Sequence, residues 1–108
     1  MRWDVHYADA ALQDLQNIYD YISDVLLEPG IAEKQTDRIM SAAESLEHMP
    51  YRYRLCEYKL WHSKGLRVLP VDNYLIFYLP DESRGVVDIY RIIYGSRDIG
   101  NHLGFAQK

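Results

Sequence analysis

The chain has 108 residues, 26% of them charged, with 12 Lys and Arg against 16 Asp and Glu for a formal net charge of -4. This length suits one domain with one modest core, so residues 1–108 are expected to form a single domain with a polar tail from about residue 99, and the acidic balance argues against a protein whose main task is gripping a phosphate backbone. The lone Cys56 excludes an intramolecular disulfide, and no apolar run reaches membrane-spanning length, so a cytoplasmic protein with no membrane attachment is expected.

Trp3, Val5 and Tyr7 alternate with Asp4 and His6, the pattern of a half-exposed strand. Asp9 then precedes a helical repeat and is placed as its N-cap. Ala11, Leu15, Ile18, Ile22 and Leu26 recur at helical spacing, widened by Leu12, Tyr19 and Val25, while Asp14, Gln16, Asp20 and Asp24 turn mostly away. Glu28-Pro29-Gly30 stops this helix. A second is expected from Ile31 or Ala32, with Ile39, Ala43 and Leu46 facing inward, helped by Ala32, Ala42 and Met49, and with Pro50 as its end.

Residues 51–64 read equally as a short strand or an extended loop, with Cys56 as a small buried hydrophobe. From Leu66 onward, runs rich in β-branched and aromatic residues are punctuated by Asp72-Asn73 and by Pro80-Asp81-Glu82-Ser83-Arg84-Gly85. Strands joined by hairpin turns follow, with Pro70 marking an edge strand. Tyr74, Phe77, Tyr78, Tyr90 and Tyr94 are expected mainly in the core or in cross-strand pairs. After Arg97 the chain turns polar and glycine-rich and is expected to fray.

Charge is unevenly distributed. Residues 1–50 hold three basic and ten acidic side chains, residues 51–80 five basic and two acidic, and the last 28 residues four of each sign. Such a dipolar chain can present its basic middle to an acidic partner.

In this order, the first strand, the Leu15 to Ile22 helix pattern, the Leu46 to Pro50 helix end, Gly65-x-Arg67, Asn73-Tyr74 before an apolar strand, and Arg91 six residues before Arg97-Asp98 closely resemble the ParE branch of the RelE/ParE toxins of bacterial type II toxin-antitoxin systems. The resemblance spans roughly residues 3–103. It implies an α+β fold: an N-terminal strand, an antiparallel helix hairpin, then a twisted antiparallel β-sheet on which the helices pack. It implies a toxin neutralised by a cognate antitoxin, which itself binds operator DNA, and the growth regulation and plasmid stabilization associated with such pairs.

Three activities stay open under this resemblance, since fold alone cannot choose among them. A ParE-like toxin poisons DNA gyrase without being an enzyme, and surface residues Arg67, Arg91, Arg97 and Asp98 would then bind the partner. A RelE-like toxin is a ribosome-dependent mRNA endonuclease, for which Arg67, Arg97, His62 and His102 form the candidate catalytic set. That reading is the weaker one, because positions where those ribonucleases carry an arginine and a tyrosine fall here on Leu75 and Leu103. His6, like the other histidines, reads first as a surface residue. The third possibility is a non-toxic antitoxin-binding co-repressor. No cofactor is expected, and the histidines fit no tight metal-ligand spacing.

Overall fold

The computed structural model describes residues 2–95 together with Ile99 and Leu103. Strand β1 (Asp4–Tyr7) leads into helix α1 (Asp9–Asp20), a π-helical turn (Tyr21–Val25) and helix α2 (Pro29–Glu44). Two short 3-10 turns (Ser45–Glu47 and Pro50–Arg52) and a six-residue helix α3 (Lys59–Lys64) precede strands β2 (Arg67–Val71), β3 (Tyr74–Asp81) and β4 (Val86–Tyr94). The four strands lie in the order β1-β4-β3-β2. The expected antiparallel meander is formed by β2, β3 and β4, and β1 adds to it in parallel beside β4, so the whole sheet is mixed.

Several helix boundaries differ from the sequence expectation. Ala8, not Asp9, is the N-cap of α1, and no side chain caps that end; Asp9 is the first helical residue, where its carboxylate still meets the positive end of the helix dipole. Helix α2 starts at Pro29 rather than at Ile31 or Ala32, because proline's fixed φ and missing N–H suit the first helical position. The same helix ends at Glu44, well before Pro50, which opens the following 3-10 turn instead.

The stripe of the first helix also breaks. Leu26 N–H donates to Tyr21 O, five residues back, and this wider turn rotates the chain away from the Ala11, Leu15, Ile22 line. Leu26 and Val25 consequently face solvent, as does Leu12 on the flank of α1. Met49 is likewise 71% exposed, and sits at φ 51 between the two 3-10 turns.

Residues 51–64 are neither a plain strand nor a loop. Leu55 makes an isolated antiparallel bridge to Arg67, Cys56 N–H donates to Leu66 O, and α3 follows, ended by Gly65 at φ 90. That left-handed conformation carries no penalty for glycine. Asp72-Asn73 forms the expected tight turn, with Asp72 at φ 55, and Pro70 does lie on an edge strand. Arg38 of α2 clamps this turn through Nε and NH2 at 2.8 and 2.6 Å from the Asp72 carboxylate, with Gln35 adding a third bond at 3.0 Å.

Both faces of the sheet are covered. On one, Leu69, Ile76, Tyr78, Val87 and Ile89 pack against Leu15 of α1 and Ile39 and Ala43 of α2. On the other, Leu66, Val68, Phe77 and Ile93 pack with Cys56 and Leu103, and Trp61 of α3 leans on Tyr90 with ring centroids 4.9 Å apart. Leu103 is 1% exposed, so this part of the expected fraying tail is core. Burial of this order stabilises by about 1.5–3 kcal/mol per large aliphatic side chain.

Candidate functional site

Strand β1 is four residues long and β4 is nine, so β1 covers only the first part of its neighbour. The last bond between them is Ala8 N–H to Ile89 O, after which Arg91 to Tyr94 are paired with β3 alone. Tyr78 faces Ile89 and Phe77 faces Arg91, which makes Tyr90 an extra residue, a bulge that sharpens the local twist. Gly95 N–H donates to Asn73 O, and strand alternation from that pair turns the main-chain groups of Ile92 and Tyr94 toward the uncovered edge.

Asp14 of α1 reaches this edge. Its carboxylate accepts Arg91 Nε and NH2, both at 2.8 Å, and also the Ile92 N–H at 2.8 Å. The two side chains are 22% and 11% exposed, and the carboxylate beside it raises the Arg91 guanidinium above its ordinary pKa. A bidentate charge-assisted pair in such a setting has fixed geometry as well as energy. Asp14 was not legible as an interior partner, because its position on the helix also fits the polar face.

Beside the pair lies a groove of about 620 Å³, open at the end of the helix and sheet layers. Ile18, Ile22 and Ile31 line its helical wall, and Tyr74, Ile92 and Tyr94 its sheet wall. The rim continues into an exposed apolar patch where the helices meet: Tyr21 54%, Val25 64%, Leu26 51%, Leu27 76% and Ile31 53% exposed. Leu27 is held at φ 59, a conformation costing roughly 1–2 kcal/mol for a residue with a Cβ. Exposed Asp20, Asp24, Glu28 and Glu33 flank the patch residues along the chain, against one exposed cation, Lys34. An apolar segment carrying basic residues would complement it.

Of the sequence-predicted site residues, Arg67, His62 and Arg91 are among the described residues, and they stand on three different elements, β2, α3 and β4. Arg67 is turned inward: NH1 donates to Tyr51 O at 3.0 Å and Tyr53 O at 2.6 Å, and the guanidinium lies 5.1 Å from the Tyr51 ring centroid. His62 is exposed on α3, next to the β2 edge, whereas His6 is exposed on β1 at the opposite edge of the sheet. Arg91 is engaged by Asp14. Arg97, Asp98 and His102 lie outside the described residues. Leu75 is half-buried against the second core cluster, and Leu103 is within it. Burial raises the Cys56 thiol above its usual pKa, the opposite of what a nucleophilic thiolate needs. Among the described residues, no group of three or more His, Cys, Asp or Glu side chains could hold a metal ion.

The family model described as ParE toxin of type II toxin-antitoxin system, parDE, matches residues 5–99. The chain belongs to the ParE toxin family. Solved structures agree with the fold. A chain of the chromosomal ParDE system from P. aeruginosa superposes with a TM-score of 0.73 at 22% identity, covering 86% of this chain and 96% of that one. A chain of the RelBE2 toxin-antitoxin complex from Mycobacterium tuberculosis gives 0.58 at 19% identity over 87% and 99%. A chain of the archaeal RelE-RelB complex from Pyrococcus horikoshii OT3 gives 0.54 at 14% over 90% and 99%. No curated protein matches the chain in sequence. As a ParE family member, the protein is the toxin component of a type II toxin-antitoxin system.

Proposed function

We propose that this ParE family toxin inhibits DNA gyrase by binding rather than by catalysis, and that a cognate antitoxin neutralises it by occupying the apolar groove and patch beside β4. The observation that carries the non-catalytic reading is the burial of Leu103, 1% exposed, at a position where the resembling ribonucleases place a tyrosine. Leu75 packs against the same cluster in place of an arginine, and Arg67 is bound to main-chain carbonyls. Phosphodiester cleavage needs an acid, a base and cations placed together, and the described residues offer no such set.

Support for an antitoxin comes from the exposed apolar patch and from the relatives, whose solved structures include toxin-antitoxin complexes. A partner segment with apolar anchors and basic residues fits the groove and its acidic rim. Arg97 and Asp98 remain proposed gyrase contacts, and Arg97→Ala is expected to lose growth inhibition while staying folded.

The test is purified toxin added to gyrase and relaxed plasmid, in parallel with stalled ribosomes carrying mRNA. Loss of supercoiling or accumulation of cleaved DNA is the expected result. Site-specific mRNA cleavage with gyrase unaffected would reverse the assignment.

A further inference from the structure

Arginines in this fold divide into two groups. Every described arginine outside residues 51–67 is paired with a carboxylate: Arg2 with Glu47 at 3.3 Å, Arg38 with Asp72 at 2.6 Å, Arg84 with Asp81 at 3.1 Å and Arg91 with Asp14 at 2.8 Å. Within residues 51–67 only Arg54 has a carboxylate partner, a long ion pair at 3.9 Å to a Glu57 side chain that is 86% exposed. Arg52 donates to His48 O and Ser45 Oγ, and Arg67 donates to two carbonyls. Carbonyls and hydroxyls orient a guanidinium without neutralising it.

Lys59 and Lys64 of α3 add two more exposed cations, so this segment holds five basic side chains and one acidic one in a chain of net charge -4. Aromatic rings are interleaved with them: Arg52 lies 4.9 Å from the Tyr53 ring centroid, Lys64 5.1 Å from Trp61 and Arg67 5.1 Å from Tyr51. The segment is also held as one unit along the β2 edge, through Val68 N–H to Arg54 O, Cys56 N–H to Leu66 O and Leu66 N–H to Trp61 O. It is a stripe, not a pocket.

We infer that residues 51–67 form a contact surface for the phosphate backbone of duplex DNA. A stripe with a net excess of arginine and lysine on an otherwise acidic protein, offset only by Glu57 and by Asp81 and Glu82 near Tyr51, is the electrostatic footprint of a polyanion, and the rings hold the cations in place without cancelling their charge. The choice of DNA among polyanions rests on the gyrase reading, because a gyrase inhibitor acts where DNA is held. The acidic helix hairpin limits the contact to this stripe, so the surface takes DNA weakly and without sequence preference.

The test is fluorescence anisotropy of a labelled DNA duplex with the full chain and no gyrase present. With about three phosphates contacted, affinity should fall roughly fortyfold between about 50 and 200 mM salt. Lys59→Gln/Lys64→Gln should reduce the logarithmic salt slope by about 2 and weaken binding at least about tenfold at low salt. The charge-matched Arg2→Gln/Lys34→Gln should leave the slope unchanged, with thermal midpoints recorded for both.

Undetectable binding of the unmodified chain at low salt, or equal losses in the two double variants, would overturn the assignment. So would unaltered DNA affinity in Lys59→Gln/Lys64→Gln accompanied by lost binding to DNA-free gyrase, which would give the stripe to an acidic protein surface. Because the DNA measurement contains no gyrase, its result is independent of whether the supercoiling assay upholds the gyrase reading.

Discussion

Asp14 and Arg91, 77 positions apart, form a two-pronged ion pair that also caps the Ile92 N–H on the uncovered edge of β4. One carboxylate thus ties α1 to the sheet and satisfies an edge donor that would otherwise invite a further strand. Asp14→Ala strands a mostly buried guanidinium and is expected to cost about 2–4 kcal/mol, read as a lower midpoint in urea. Arg91→Lys should recover little, since an ammonium cannot reproduce the planar fork. If Arg91 were instead a free partner contact, Arg91→Lys would change toxicity at unaltered stability.

The Arg38 to Asp72 clamp predicts a pH dependence. Hydrogen bonds from Arg38 and Gln35 hold the Asp72 carboxyl below the ordinary carboxylate range. A depressed folded-state pKa stabilises the fold above the unfolded value, and that contribution is lost as pH falls through the folded one. Asp72→Asn, which keeps a residue tolerant of the positive φ, should lower stability at neutral pH and flatten the decline on acidification below about pH 4. An unchanged acid limb in denaturant titrations would show that the clamp is energetically silent.

At the alkaline end, burial pushes the Tyr78 hydroxyl up to about 12, and its O–H donates to Pro50 O at 2.6 Å. The unfolded chain ionises near its ordinary value of about 10, so stability is full below that pH and declines as pH rises toward the folded value. Tyr78→Phe should cost about 1–3 kcal/mol near neutrality, through the unsatisfied Pro50 carbonyl, and should weaken the alkaline decline. Tyr7, also raised to about 12 by burial and then by Glu44, keeps part of that decline in the variant.

Leu103 separates a structural from a catalytic role at the position where the ribonucleases carry tyrosine. Leu103→Ala should lower stability by about 2–5 kcal/mol, as for a buried leucine in contact with a second core cluster. Toxicity measured at a temperature where the variant remains folded should be retained. Selective loss of activity in the folded variant would return this segment to the active surface.

At the patch, Ile31→Asp places a charge on a side chain that is 53% exposed, so the thermal midpoint should hardly move. Antitoxin affinity should fall by more than about 2 kcal/mol if Ile31 anchors the partner, as central apolar contacts do. Titration calorimetry with the co-encoded antitoxin checks this, and equal affinity would remove the groove from the interface.

Elements whose side chains repeat with a single local period were legible without the fold. The strands of the meander, the inward positions Ile39, Ala43 and Leu46, the turn at Asp72-Asn73 and the edge position of Pro70 all follow from patterning and turn chemistry, which act over a few residues. Quoted motifs in their order were sufficient to place the chain in its family. The remainder depended on contacts between distant residues. Parallel pairing of β1 with β4 leaves no local mark, and one wide turn at Tyr21–Val25 moved Leu26 from the expected core to the exposed patch. Asp14 read as a carboxylate of the polar helix face and Asp72 only as a turn residue until the fold brought Arg91 and Arg38 to them, because charge pairing depends on distance in space and sequence spacing is silent about it.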